Sequence, residues 1–141
     1  MNHNKYEDFV VGYGATYKRK VTQRDNELFA EFSGDDNPLH FNDELAKKVG
    51  YKARISNGFV TESRLAAALV KAFTSDNCIV VELEKKTRFC KPVYMDEEIT
   101  AKVKVIERLE AFQALKIEAQ CLNQKGEKVM TAFFVVQILQ R

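Results

Sequence analysis

From Asn77 onward the chain alternates between apolar and polar positions. Ile79, Val81 and Leu83 occupy every second place, and so do Ile99, Ala101, Val103 and Val105. The pattern returns in Leu115, Ile117, Ala119 and Cys121, and in Met130, Ala132, Phe134, Val136 and Ile138. A period of two puts one face of a strand against a core, so four strands are predicted here. Gln124-Lys125-Gly126-Glu127 is a hairpin signal before the last of them. Another strand is predicted around Ala15 to Val21, where Ala15, Tyr17, Arg19 and Val21 alternate.

Helical spacing is confined to the first half. Thr22 with Asp25 resembles a capping pair opening a short helix, with Leu28, Phe29 and Phe32 as its apolar face. Ser33-Gly34 stops it, because glycine tolerates the left-handed conformation just past a helix end. Asn37-Pro38 then imposes extended or turn geometry, which stiffens the loop. Asp43 to Val49 reads as a short helix ended by Gly50.

From Gly58 to Phe73, Leu65, Leu69 and Phe73 with Ala66 and Val70 make an apolar face on the longest helix, about 24 Å at ~1.5 Å per residue. Its small residues Ala66, Ala67 and Ala68 suit close packing. The predicted class is α+β, a mostly antiparallel sheet curled around one long helix. Pattern alone leaves other α+β layouts open. No repeat, low-complexity tract or linker interrupts residues 1–141, which are expected to form a single domain.

Composition narrows the function. With 45% hydrophobic and 30% charged residues, the 141-residue chain falls among globular proteins. The 22 basic and 20 acidic residues are scattered, with no basic stripe for nucleic acid. The densest basic runs, Lys18-Arg19-Lys20 and Lys85-Lys86, read as solvated strand faces, with contact to a carrier's phosphates as the second reading. Cys78, Cys90 and Cys121 fit neither a disulfide framework nor a zinc motif, and are expected to be reduced thiols. No apolar run approaches the ~18 residues of a membrane span, and the start carries no apolar leader segment, so a cytoplasmic protein with no membrane partner is expected.

Candidate chemistry sits in Ser33-Gly34-Asp35-Asp36-Asn37-Pro38-Leu39-His40. Of the two histidines, His3 falls in a terminus expected to fray, which leaves His40. Adding water to an activated double bond needs a base for the water and an acid for the neighbouring carbon, and a carboxylate with an imidazole can share those jobs. Taken by themselves, Asp35 and His40 fit a capped turn and a histidine bound to backbone better than they fit a catalytic pair.

The longer string Phe29-Ala30-Glu31-Phe32-Ser33-Gly34-Asp35-Asp36-Asn37-Pro38-Leu39-His40, followed by Ala46, closely resembles the hydratase motif of the MaoC-like, (R)-specific enoyl-CoA hydratase family. Tyr51 to Phe59 falls where that family has a Pro-Ile step and His-Gly-Met at the start of the central helix. Phe89-Cys90-Lys91-Pro92-Val93-Tyr94-Met95-Asp96 resembles its Phe-x-x-Pro-Val-x-x-Gly-Asp signature. The resemblance implies a hot-dog fold and a reaction without metal or redox cofactor. It implies Asp35 and His40 as the groups that activate water, and the Gly58 N–H as donor to the thioester carbonyl. Asn37, Asn57 and Phe59 are the expected substrate-binding residues.

Three positions depart from the pattern: Asn57 replaces the usual His, Met95 is read as replacing a turn glycine, and Ala66 stands where some members have serine. The implied function is hydration of an enoyl thioester, or its reverse, on coenzyme A or acyl carrier protein, in a homodimer or higher homo-oligomer. Acyl chain length would be set by a tunnel lined by residues such as Phe59, Leu65 or Phe73. The competing readings are a noncatalytic acyl-thioester-binding module and an acyl-CoA thioesterase on the same fold.

Overall fold

A computed structural model describes residues 4–141; His3 lies outside the described residues. Five strands form one antiparallel sheet: β1 (Gly14–Lys20), β2 (Cys78–Phe89), β3 (Glu98–Leu109), β4 (Ala114–Leu122) and β5 (Lys128–Gln140), in the order β1-β3-β4-β5-β2. Helices α1 (Gln23–Ser33) and α2 (Asp43–Lys48) precede α3 (Gly58–Phe73), the long helix on which the sheet curls. Register shifts at Glu82/Glu84, Val105/Glu107 and Cys121/Leu122 add the local bend and twist that an extra residue gives a strand.

Local chemistry explains the helix ends. Thr22 and Asp25 form a reciprocal capping box at the start of α1, and Gly34 ends it at φ +84°. Asn42 caps α2, and Gly50 follows its end at φ +109°. On α3, Val60, Leu65, Ala68, Leu69, Ala72 and Phe73 are buried in one cluster with the inward residues of β3, β4 and β5. Leu65 and Phe73 therefore belong to the core and line no tunnel.

Two readings of the second half shift. The alternating Ile79, Val81 and Leu83 do lie on a strand, but all three are exposed, at 39%, 37% and 56%. β2 is an edge strand whose second edge has no partner in the sheet, and its inward positions include Val80, Lys85 and Thr87. In the turn before β3 the left-handed residue is Asp96, at φ +66°, rather than Met95. The missing turn glycine thus belongs to Asp96. Met95 places its sulfur 3.7 Å from Asn26 Nδ2.

The cysteines are all free. Cys78 and Cys121 are buried and Cys90 is exposed, and burial pushes the Cys121 thiol up to about 12. No described helix is long and apolar enough to cross a membrane.

An ion pair locks α1 against α3. Arg64 Nη2 donates to Asp25 Oδ2 at 2.8 Å and to the Lys20 carbonyl at 2.7 Å, and the same carboxylate oxygen accepts the Thr22 N–H at 2.9 Å. Burial pushes the Asp25 carboxyl up, but the Thr22 amide and Arg64 outweigh it and hold it below its ordinary value. Asp25→Ala leaves Arg64 without its countercharge and α1 without its box, and should cost about 3 kcal/mol in chemical denaturation at neutral pH. A depressed carboxyl stabilises above its unfolded pKa, and that contribution is lost as pH falls through the folded one. The gap between wild type and variant should therefore narrow below about pH 4.

Candidate active site

The loop after α1 is held by its own side chains. Ser33 Oγ donates to the Phe29 carbonyl at 2.6 Å and accepts the Asp35 N–H at 3.0 Å. Asp35 Oδ1 accepts from Asn37 N at 3.4 Å, and Asn37 Oδ1 accepts from Leu39 N at 3.1 Å. Pro38–His40 forms a single 3₁₀ turn. Asn37, expected to touch substrate, spends its amide oxygen as the cap of that turn.

His40 is 9% exposed, and its Nδ1 lies 2.8 Å from the Ile55 carbonyl. A carbonyl oxygen only accepts, so Nδ1 carries the hydrogen and the neutral ring keeps its lone pair on Nε2. The segment that fixes this choice is tied down on both sides. Ile55 N donates to the Leu39 carbonyl at 3.3 Å, Ser56 N donates to the Val93 carbonyl at 2.6 Å, and Ile55 makes a bridge with Tyr94.

Asn57 joins the loop to α3. It is 4% exposed, its Nδ2 donates to Asp35 Oδ2 at 2.8 Å, and its Oδ1 caps the helix by accepting from Phe59 N at 2.9 Å. The Asn57 backbone N–H in turn donates to Asn26 Oδ1 at 2.7 Å. Asn26 is 2% exposed and also donates to the Thr22 carbonyl at 3.0 Å. Sequence reasoning passed over Asn26. The available signal was a polar residue four places after the cap Thr22 and three before Phe29, on the inward face of α1.

These contacts set the electrostatics of Asp35. The Asn57 amide, then the Asn37 N–H, then the nearby His40 hold its carboxyl below its ordinary value, so it is ionised at neutral pH. Gly58 begins α3, so its N–H has no acceptor within the helix and lies at the positive end of the helix dipole. A Cβ on Gly58 would sit 2.3 Å from Phe89 Cε1, so only glycine fits beneath the ring where it stands.

His40, Ser56, Gly58, Thr61, Phe89 and Pro92 line one cavity of about 360 Å³. A second cleft of about 350 Å³ opens beside the start of α3, lined by Phe29, Phe32, Phe59 and Ala66 among others. Phe59 is half exposed there and stacks on Phe29 at 5.4 Å. The fold thus gathers Asp35, His40, Asn57 and Gly58 around one helix end, and turns Phe59 to the neighbouring cleft.

Residues 11–125 match the sequence profile of the MaoC like domain. The chain belongs to that family. An (R)-specific enoyl-CoA hydratase of Rhodospirillum rubrum is 30% identical over 100 residues, covering 71% of this chain and 68% of that protein. An (R)-specific enoyl-CoA hydratase of Aeromonas caviae is 25% identical over 132 residues, covering 94% of this chain and 97% of that protein. The unliganded R-hydratase of Pseudomonas aeruginosa superposes with a TM-score of 0.83 at 26% identity, over 97% of this chain and 89% of that one. The sheet and central helix are those of the hot-dog fold, as in these MaoC-like relatives.

Asn57 is the first cause of the low Asp35 pKa, so Asn57→Ala should raise it, and the ionised form should be lost at higher pH than in wild type. A carboxyl-carbon NMR titration of Asp35 in both proteins measures this. An unchanged midpoint would rule out the Asn57 contact as its cause.

Proposed function

We propose that the protein is a hydro-lyase that adds water syn across a trans-2-enoyl thioester to give an (R)-3-hydroxyacyl thioester, and catalyses the reverse. The observation that carries this reading is the ionised Asp35 carboxylate beside His40, whose only protonated nitrogen in the neutral ring is turned to Ile55, next to the N-terminal end of α3 at Gly58. Water donates one hydrogen to Asp35 and the other to His40 Nε2, presenting its lone pair to C3. As the new C–O bond forms, the C2–C3 π electrons move into the thioester, and the oxygen gains negative charge that the Gly58 N–H stabilises. The proton given up by the water returns to C2 from the same pair on the same face. The elements of water end on C3 and C2, with no net oxidation.

The thioester is carried by coenzyme A or acyl carrier protein, and a family membership shared with hydratases supports a reaction at the C2–C3 bond. Purified protein mixed with crotonyl-CoA should consume the enoyl absorbance without releasing free thiol. Asp35→Asn and His40→Gln should each lower kcat by about 10²–10⁴-fold while still unfolding cooperatively. Near wild-type rates in both variants, or thiol release by wild type, would refute the assignment.

The working unit in this reading is a homodimer joined along β2. A twelve-residue edge strand with Ile79, Val81 and Leu83 exposed is a template for a further strand, and a second copy of β2 supplies one of matching length and apolarity. Light scattering should give twice the 16.2 kDa chain mass, and Val81→Lys with Leu83→Lys should shift it toward the monomer. A wild-type protein that stays at the chain mass would exclude this pairing.

A further inference from the structure

The cleft beside Phe59 has an unexpected wall. Glu62 and Arg64 of α3 both face it and are each 7% exposed. Glu62 Oε1 accepts from Thr87 Oγ1 at 2.6 Å, and its Oε2 lies 3.3 Å from Lys85 Nζ. Arg64 is spent on Asp25 and Lys20 through Nη2 and on Ser63 Oγ through Nη1, at 3.2 Å. Its Nε is the one buried side-chain nitrogen or oxygen among the described residues with no hydrogen-bond partner.

Helix rise places Glu62 about 6 Å and Arg64 about 9 Å beyond Gly58 along the α3 axis. Phe59, Phe29 and Phe32 give the same cleft an apolar portion. Gly58 lines the neighbouring cavity, and a chain directed from a thioester held there into this cleft would pass the ring of Phe59, the next residue, before reaching hydrogen-bonding groups a turn or two later.

A pocket for a plain alkyl chain gains nothing from such groups. Burying an ion pair contributes little or negatively to stability compared with well-packed apolar residues, and a buried donor without a partner is a further cost. The lock on Asp25 accounts for Arg64, but stability does not account for the Glu62 carboxylate and its Lys85 partner on the cleft side of the central helix. Recognition does. Glu62 already faces Lys85 and Arg64 already faces Asp25, so a charged substituent would enter without a countercharge of its own.

Resting on the reading that Gly58 holds the thioester, we propose that this cleft receives the acyl group and selects chains bearing an uncharged hydrogen-bonding substituent, such as a hydroxyl or amide, over plain alkyl chains. The substituent donates to Glu62 and accepts from Lys85 or Arg64, while Phe59 and Phe29 cover the methylenes before it.

The test compares hexanoyl-CoA with its terminally hydroxylated analogue, saturated thioesters that cannot be hydrated, by titration calorimetry on the full chain. The hydroxylated chain should bind about tenfold more tightly or better. The corresponding enoyl-CoA pair should show the same order in kcat/KM. Glu62→Leu with Lys85→Met, a replacement of the pair by apolar groups, should abolish or invert the preference. Should that protein not fold, Lys85→Met alone, at a half-exposed position, reads the same ratio. Equal or tighter binding of the plain chain by wild type overturns the proposal, as does a preference that survives loss of the pair. Crotonyl-CoA is too short to reach Glu62, so its turnover judges the hydration reading separately. Loss of crotonyl turnover with the preference retained would sink that reading and leave the cleft assignment standing.

Discussion

The candidate site hangs on one side chain, Asn57. Its amide nitrogen reaches the Asp35 carboxylate and its amide oxygen caps the first turn of α3, so a single planar group sets loop and helix at a fixed separation. A donor and an acceptor on the same planar group are required, because a carboxylate faces one end and a backbone N–H the other. The same partners settle which end of the amide is nitrogen. Asn26 holds the backbone of Asn57 from below, and Asn26 is itself buried between Thr22 and Ser56. The acid/base loop is thereby referenced to the central helix through hydrogen bonds rather than through apolar contact, which would permit sliding.

An amide at this position also changes what pH can do. Asn57 stays neutral at every pH, so its bond to Asp35 persists wherever Asp35 is ionised, whereas a histidine would bring a titration of its own near neutrality. The Nδ1 hydrogen of the neighbouring His40 is committed to Ile55. The departure from the family motif that looked most disruptive in the sequence joins Asp35 to the first turn of α3 without adding a charge.

Most of the fold was legible because burial enforces periodicity. The strands with both edges paired, β3, β4 and β5, place their alternating apolar residues in the core. β2 broke the rule for the reason edges do. Its Ile79, Val81 and Leu83 alternate as cleanly as any core strand, yet face outward, since period two reports that one face is apolar and is silent on which face meets this chain's own core. Leu65 and Phe73 were similarly misplaced at a tunnel wall, because helix periodicity does not separate a core-facing side chain from a cavity-facing one. Asn26 was out of reach for another reason. Its spacing marks it as a polar residue on the inward face of α1, but its partner lies thirty-one residues away, and neither propensity nor spacing names that partner. Asp35, His40, Gly58 and Asn57 were visible in the sequence as a motif, but which contacts which was not.

Phe89 shows how the remote motif enters the site. The ring packs over Gly58 so closely that any side chain there would displace it, and the segment that follows it reaches Val93, whose carbonyl takes the Ser56 N–H. Ile55, which orients His40, bridges to the next residue, Tyr94. The Phe-x-x-Pro-Val run therefore acts at both ends: its first residue covers the helix terminus where a carbonyl would be polarised, and its last residues hold the strand that selects the histidine tautomer. Glycine at position 58 answers to two demands at once, a helix-terminal N–H with no intrahelical acceptor and room for an aromatic ring.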